Sequence, residues 1–197
     1  MTNEQLRAEL KNQIWKRATE IVHGGKISPV QFKQFMLGSL FYRFISENLT
    51  IHCNRLMAEA GVENADYANM PDEKAEVARD QMVNEKGFFI LPSQLFINVA
   101  NNARKNKDRN TTLANIFKAI EDSAIGTPSE DDVKGLFVNF NTNDPGLGGT
   151  VAERCSLLAD LLEAVRNLNF TQYEQSGIDV FGTCYEQLIK MYALNSG

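Results

Sequence analysis

The sequence predicts a mainly α-helical bundle, on three observations. Apolar residues recur at helical spacing through most of the chain, several of those runs open on a recognisable cap, and candidate strands are few and short. With 197 residues, 43% of them apolar, the chain can bury a core in one domain of ordinary size. No internal repeat, low-complexity tract or linker divides it, so residues 1–197 read as a single domain.

The elements follow in order. Thr2 and Gln5 fit a capping box, after which Leu6, Leu10, Ile14, Ala18 and Ile21 share one face until Gly24 and Gly25 end the pattern. Ser28, Pro29 and Gln31 mark a second start, because proline fits the first helical turn and the polar side chains satisfy free amides. In that long helix Phe35, Met36, Leu37, Leu40, Phe41, Phe44, Ile45 and Leu49 cover so wide an arc that several neighbours must pack around it. It is the expected central core helix, with Gly61 as its stop. Gly38 would permit close approach of another backbone, and Arg43 and Glu47 stand at i, i+4 to pair.

A loop over residues 62–71 leads to a polar surface helix, "DEKAEVARDQMVNEKG", ending at Gly87. "FFILPSQLF" is too short for a helix before Pro92; residues 88–91 are a candidate strand, and Ser93 caps a helix through about Ala103. After the polar, basic "NNARKNKDRNTT", Leu113, Ile116, Phe117 and Ile120 resume an amphipathic stripe, closed by Gly126, Thr127 and Pro128. Ser129 opens a capped helical turn, and residues 136–140 form a second candidate strand that could pair with the first as a minor two-stranded β element. Thr150 and Glu153 make another capping box, with Leu158, Leu161, Leu162, Val165 and Leu168 on one face beyond it. A last helix begins near Ile178 or Asp179 and turns Phe181, Tyr185, Leu188, Ile189 and Tyr192 inward.

The glycine-rich stretch "DPGLGGTVAER" invites a nucleotide-binding reading. Gly146, Gly148 and Gly149 lack G-x-G-x-x-G spacing, and no G-K-[ST] follows, so neither dinucleotide nor triphosphate loops fit. The simpler expectation is that Pro145 and Gly146 turn the chain, Gly148 and Gly149 take positive backbone angles, and Thr150 caps the next helix. Cys53, Cys155 and Cys184 are odd in number and far apart, which suits small buried thiols. His23 and His52 have no metal-ligand spacing. No nucleophile and base are paired. No residue of this chain is therefore expected to be catalytic, cofactor-binding or metal-ligating.

A formal charge of −5 argues against tight nucleic-acid binding by this chain alone, since that affinity comes largely from Lys and Arg displacing counterions. A local strip could still touch DNA. Arg104, Lys105, Lys107 and Arg109, interleaved with Asn101, Asn102, Asn106 and Asn110, are the DNA-contact candidates, against the alternative of a solvated basic turn diluted by Asp108. No apolar run reaches the ~18 residues of a membrane span and no secretory core opens the chain, so the expected location is cytoplasmic.

"LKNQIWKRATEIVHG", "QFKQFMLGSLFYRFISEN", "GFFILPSQLF", "IFKAIEDSA", "PSEDDVKGLF" and "DVFGTCYEQLIKMYALNSG", in this order and spacing, resemble the amino-terminal region of HsdM, the modification subunit of type I restriction-modification systems. The resemblance covers essentially the whole chain, and "FYRFISEN" joined to "DVFGTCYEQLIKMYA" is its most specific part. It implies a parent that transfers a methyl group from S-adenosylmethionine to adenine N6 in duplex DNA, on a base flipped from the stack. The implied partners are the specificity subunit HsdS, a second modification subunit, the restriction subunit HsdR and double-stranded DNA. The cofactor loop and N-P-P-[FY]-type segment of such enzymes have no match here, so the catalytic domain would follow this region. The expected role is non-catalytic: subunit assembly and DNA clamping. The competing reading is a free-standing helical adaptor with no DNA role.

Overall fold

The computed structural model describes residues 28–170 together with residues 2, 4, 5, 8, 9, 12, 13 and 16 of the amino-terminal segment. The Thr2 box forms: the Thr2 N–H donates to Gln5 Oε1 at 2.8 Å, and the Gln5 N–H to Thr2 Oγ1 at 3.3 Å. The apolar stripe from Leu6 to Ile21, His23, Cys184 and the expected last helix lie outside the described residues.

Helix α1 spans Pro29–Glu59 and is central, as its wide apolar arc predicts. Ser28 caps it through the Gln31 N–H, and Gly61 leaves it at φ 81°. Phe35, Met36, Leu40 and Leu49 are buried, whereas Phe44 is 41% exposed. Gly38 is needed for a ring and not for a backbone: a Cβ there would stand 2.4 Å from Phe140 Cδ2.

The polar segment forms two helices instead of one, α2 at Asp72–Glu76 and α3 at Arg79–Lys86. A tightened turn joins them, with the Ala78 N–H reaching the Ala75 carbonyl, and Gly87 stops α3 at φ 81°. Helix α4 is shorter than the sequence suggests, Phe96–Asn101, and Ser93 does not cap it. The Ser93 N–H and hydroxyl go to Asp72 instead, at 2.9 and 2.5 Å. Helix α5 covers Arg109–Ser123, α6 is the single turn Glu130–Val133, and α7 covers Val151–Arg166. Ser129 makes no side-chain cap.

The expected two-stranded element does not form, and no residue in 28–170 is in a strand. Residues 88–91 are non-helical, with 88–90 buried and Leu91 half-buried, but side chains replace a neighbouring strand: the Phe89 N–H donates to Ser123 Oγ at 2.9 Å, and the Tyr67 hydroxyl to the Ile90 carbonyl at 2.8 Å. Residues 136–140 close successive tight turns, Val138 N–H to Gly135 and Phe140 N–H to Phe137. That winding puts Phe137 and Phe140 on the same side, into an aromatic cluster with Phe35, Tyr42, Phe96 and Phe117.

Helix α7 closes the core, packing against α1, α4 and α5. Its Thr150–Glu153 capping box is complete. Of the glycine pair before it, only Gly148 has positive φ, 146°; Gly149 does not, against expectation. A Cβ at Gly148 would meet Glu153 Cβ at 2.5 Å and the Arg154 nitrogen at 3.0 Å, while one at Gly149 has only Glu153 Oε2 at 3.6 Å. Gly148→Ala should therefore cost about 2 kcal/mol in urea denaturation and Gly149→Ala a few tenths, roughly. Equal effects at both positions would contradict the turn geometry.

Candidate nucleic-acid interface

The basic strip begins as α4 ends and runs into the first turn of α5. The fold separates its cations into three environments. Arg104, with 53% of its side chain exposed, reaches across to α7, where Nε meets Glu163 at 2.8 Å and Nη2 meets Asp160 at 2.6 Å and Glu163 at 2.7 Å. This fork raises the Arg104 pKa and lowers that of Glu163, in both cases chiefly through the shared hydrogen bond. Because the carboxyl is held below its ordinary value, the tie is present above the usual glutamate range and is lost as pH falls through the lowered value. Arg166 repeats the theme one turn on, donating to Asn101 Oδ1 at 3.1 Å.

Arg109 is buried, only 3% exposed. Its Nη1 donates to the Cys155 carbonyl, while its Nε meets no acceptor. Desolvation is the main influence on the guanidinium and lowers its pKa. Arg109 thus lies in the wall beneath the strip, and Lys105 and Lys107 are the cations on its outer face that carry no ion pair among the described residues. The sequence did carry the signal: Arg109, Leu113, Ile116 and Ile120 recur at helical spacing, and all are buried on α5. Helix α5 simply starts earlier than its apolar stripe suggests.

Lys105 and Lys107 are exposed and make no ion pair among the described residues. The turn that carries them is stiff. Asn106 donates to Thr112 Oγ1 at 2.8 Å and accepts from the Asp108 N–H at 2.9 Å; Cys155 Sγ donates to the Lys107 carbonyl at 3.2 Å. Asn110 is buried against Asn143 at 2.6 Å, and Asn102 bonds the Asn98 carbonyl. Of the interleaved asparagines, then, most brace the turn.

The other chemically notable residues are structural. Cys53 and Cys155 are buried free thiols, as expected, and burial pushes the Cys53 pKa up to about 11. His52 bridges α1 to α3 through Glu85 at 2.6 Å. Among the described residues no cluster of His, Cys, Asp and Glu could hold a metal ion, and no helix is long and apolar enough to cross a membrane.

Three comparisons bear on this geometry. Residues 10–165 match the family described as the HsdM N-terminal domain. The chain is 40% identical over 205 residues to the type I restriction enzyme MpnII methylase subunit of Mycoplasma pneumoniae, a match covering 98% of this chain and 37% of that relative. The chain thus spans little more than a third of that relative's length. A crystal structure of the type I restriction-modification system methyltransferase subunit from Streptococcus thermophilus shares the fold, with a TM-score of 0.72 at 20% identity over 93% of this chain and 38% of that one. The helical architecture, the matched span and the identity agree: this chain belongs to the HsdM N-terminal domain family, the amino-terminal part of type I restriction-modification methylase subunits.

Proposed function

We propose that this chain is the non-catalytic grip of an S-adenosylmethionine-dependent adenine-N6 DNA methyltransferase. It helps to hold the specificity subunit and a second modification subunit, and it closes over duplex DNA so that a flipped adenine reaches a catalytic domain elsewhere in the whole protein. The restriction subunit joins that assembly, and all of it works in the cytoplasm. The reading accords with a relative named as a methylase subunit. The observation that carries the DNA contact is the pair of exposed lysines, 105 and 107, on a turn fastened to α7 through Arg104 and Cys155. Flexible surface lysines lose entropy on binding phosphate, and a stiff turn limits the further loss to the side chains themselves.

Lys105→Ala with Lys107→Ala in the assembled methyltransferase should weaken DNA binding without changing sequence preference. It should also lower the slope of log K against log salt by about 1.8, roughly 0.9 for each phosphate that is no longer neutralised. An unchanged slope would favour the adaptor reading. The isolated chain should transfer no labelled methyl group from S-adenosylmethionine to target DNA; transfer above background would end the non-catalytic assignment.

A further inference from the structure

A groove of about 560 Å³ lies between the 104–109 segment and the first turns of α7, lined by Lys107, Arg109, Val151, Ala152, Cys155 and Ser156 among others. No carboxylate lines it. Arg109 supplies a cation in the wall that makes no direct ion pair among the described residues, Glu163 acting on it only at longer range. Arginine stays protonated in proteins, and buried charges are ordinarily paired with an opposite one. Here the guanidinium has one carbonyl for a partner and an Nε–H with none, while Asp160 and Glu163, the acids on the adjacent face of α7, are engaged by Arg104. Lys107 stands exposed on the same groove.

We propose that this groove is a phosphate-binding site, in which one phosphate group is held jointly by Lys107 and Arg109. A seated oxyanion offers the guanidinium fork the second, charge-assisted acceptor that the Cys155 carbonyl leaves it lacking. Val151 and Ala152 supply an apolar edge beside these cations. The phosphate is either a DNA backbone phosphodiester or free inorganic phosphate. The first source rests on the DNA-clamping reading; the second stands without it.

The test is an NMR titration of this chain with inorganic phosphate against chloride at constant ionic strength, following the Arg109 Nε–H signal and the Lys107 and Ser156 amides. A parallel arm uses a short DNA duplex. Saturable movement of these signals, weakened at least threefold by Lys107→Ala, is expected with one or both probes. Movement with duplex alone assigns the site to the DNA backbone. If neither probe moves the signals, or Lys107→Ala leaves the response unchanged, the site is overturned. Arg109→Met fills the same space without charge and should abolish the response; a folded Arg109→Met chain that still binds phosphate also overturns it. Silence of the groove with a lysine-dependent salt slope in the assembled enzyme removes this site and leaves the clamp. Phosphate binding with no such slope change does the reverse.

Discussion

Replacing Tyr42 by alanine is expected to destabilise the domain by about 4 kcal/mol, the scale of deleting a large aromatic ring from a core that cannot fully collapse. Tyr42 is fully buried at 0% exposure, with its ring edge-on to Phe96 at 5.5 Å, Phe117 at 5.3 Å and Phe137 at 6.5 Å. One ring therefore ties α1 to α4, α5 and the 136–140 turns, and its removal opens a cavity facing all of them. Its hydroxyl donates to the Gln94 carbonyl, and burial pushes the phenol pKa well up, so the group remains a donor at neutral pH. Tyr42→Phe keeps the rings and loses that bond, at a cost of about 1 kcal/mol. At about 2–4 °C per kcal/mol for a domain of this size, the alanine variant should melt roughly 8–16 °C lower and the phenylalanine variant only a few degrees. An alanine variant within about 1 kcal/mol of the parent chain would mean that these rings do not carry the core.

Tyr42 also marks the limit of what sequence pattern reveals. Periodicity finds the arc of α1 and correctly ranks it central, because neighbouring turns of one helix suffice to define an apolar face. It does not find Tyr42, whose polar atom becomes acceptable inside only when a carbonyl 52 residues away in sequence accepts from it. The first candidate strand fails for the same non-local reason, whereas residues 136–140 are wound into local turns. Residues 88–91 carry strand-like composition, but Ser123 and Tyr67 supply their hydrogen bonds. Caps are more local chemistry: those at Thr2, Ser28 and Thr150 form as the sequence predicts, while Ser93 is drawn away to Asp72 and Ser129 makes no side-chain cap.

The candidate interface divides along the same line. Its position and its exposed lysines are legible in "NNARKNKDRNTT", because a polar basic run between apolar stripes must reach the surface. The partition among the cations is not. Arg104 and Arg109 are claimed by α7, about fifty residues downstream by the sequence separations of 59 and 46, and only the folded chain brings those groups together.

Arg43→Ala is the second large loss, expected to cost about 3 kcal/mol, since hydrogen bonds to charged groups contribute about 1.5–3 kcal/mol and a cation over an aromatic ring adds about 0.5–2 kcal/mol. The sequence pairs Arg43 with Glu47, and that pair forms at 2.7 Å. Yet an i, i+4 ion pair on a helix, here with its Glu47 side chain 43% exposed, is worth only about 0.3–0.5 kcal/mol. The larger part of the effect comes from Nη1, which donates to the Val165 carbonyl at 2.7 Å and the Leu168 carbonyl at 2.8 Å, with the guanidinium 4.3 Å above the Phe170 ring. These carbonyls flank the end of α7, where intrahelical partners run out, so Arg43 acts as a cap delivered from another helix. Glu47→Gln should therefore cost under about 0.5 kcal/mol, and Arg43→Lys, which keeps the charge without the fork, should lie between. Hydrogen exchange locates the loss: Arg43→Ala should speed exchange of the amides from Val165 to Leu168 more than those at the capped start of α7. If Glu47→Gln matches Arg43→Ala, the ion pair and not the cap is the stabilising contact. Because α7 also holds Asp160 and Glu163 against Arg104, loosening its end should disturb the lysine turn without removing a cation. The Lys105 and Lys107 replacements should weaken DNA binding at unchanged stability, whereas Arg43→Ala should lower stability and leave the salt slope of any remaining binding as it was.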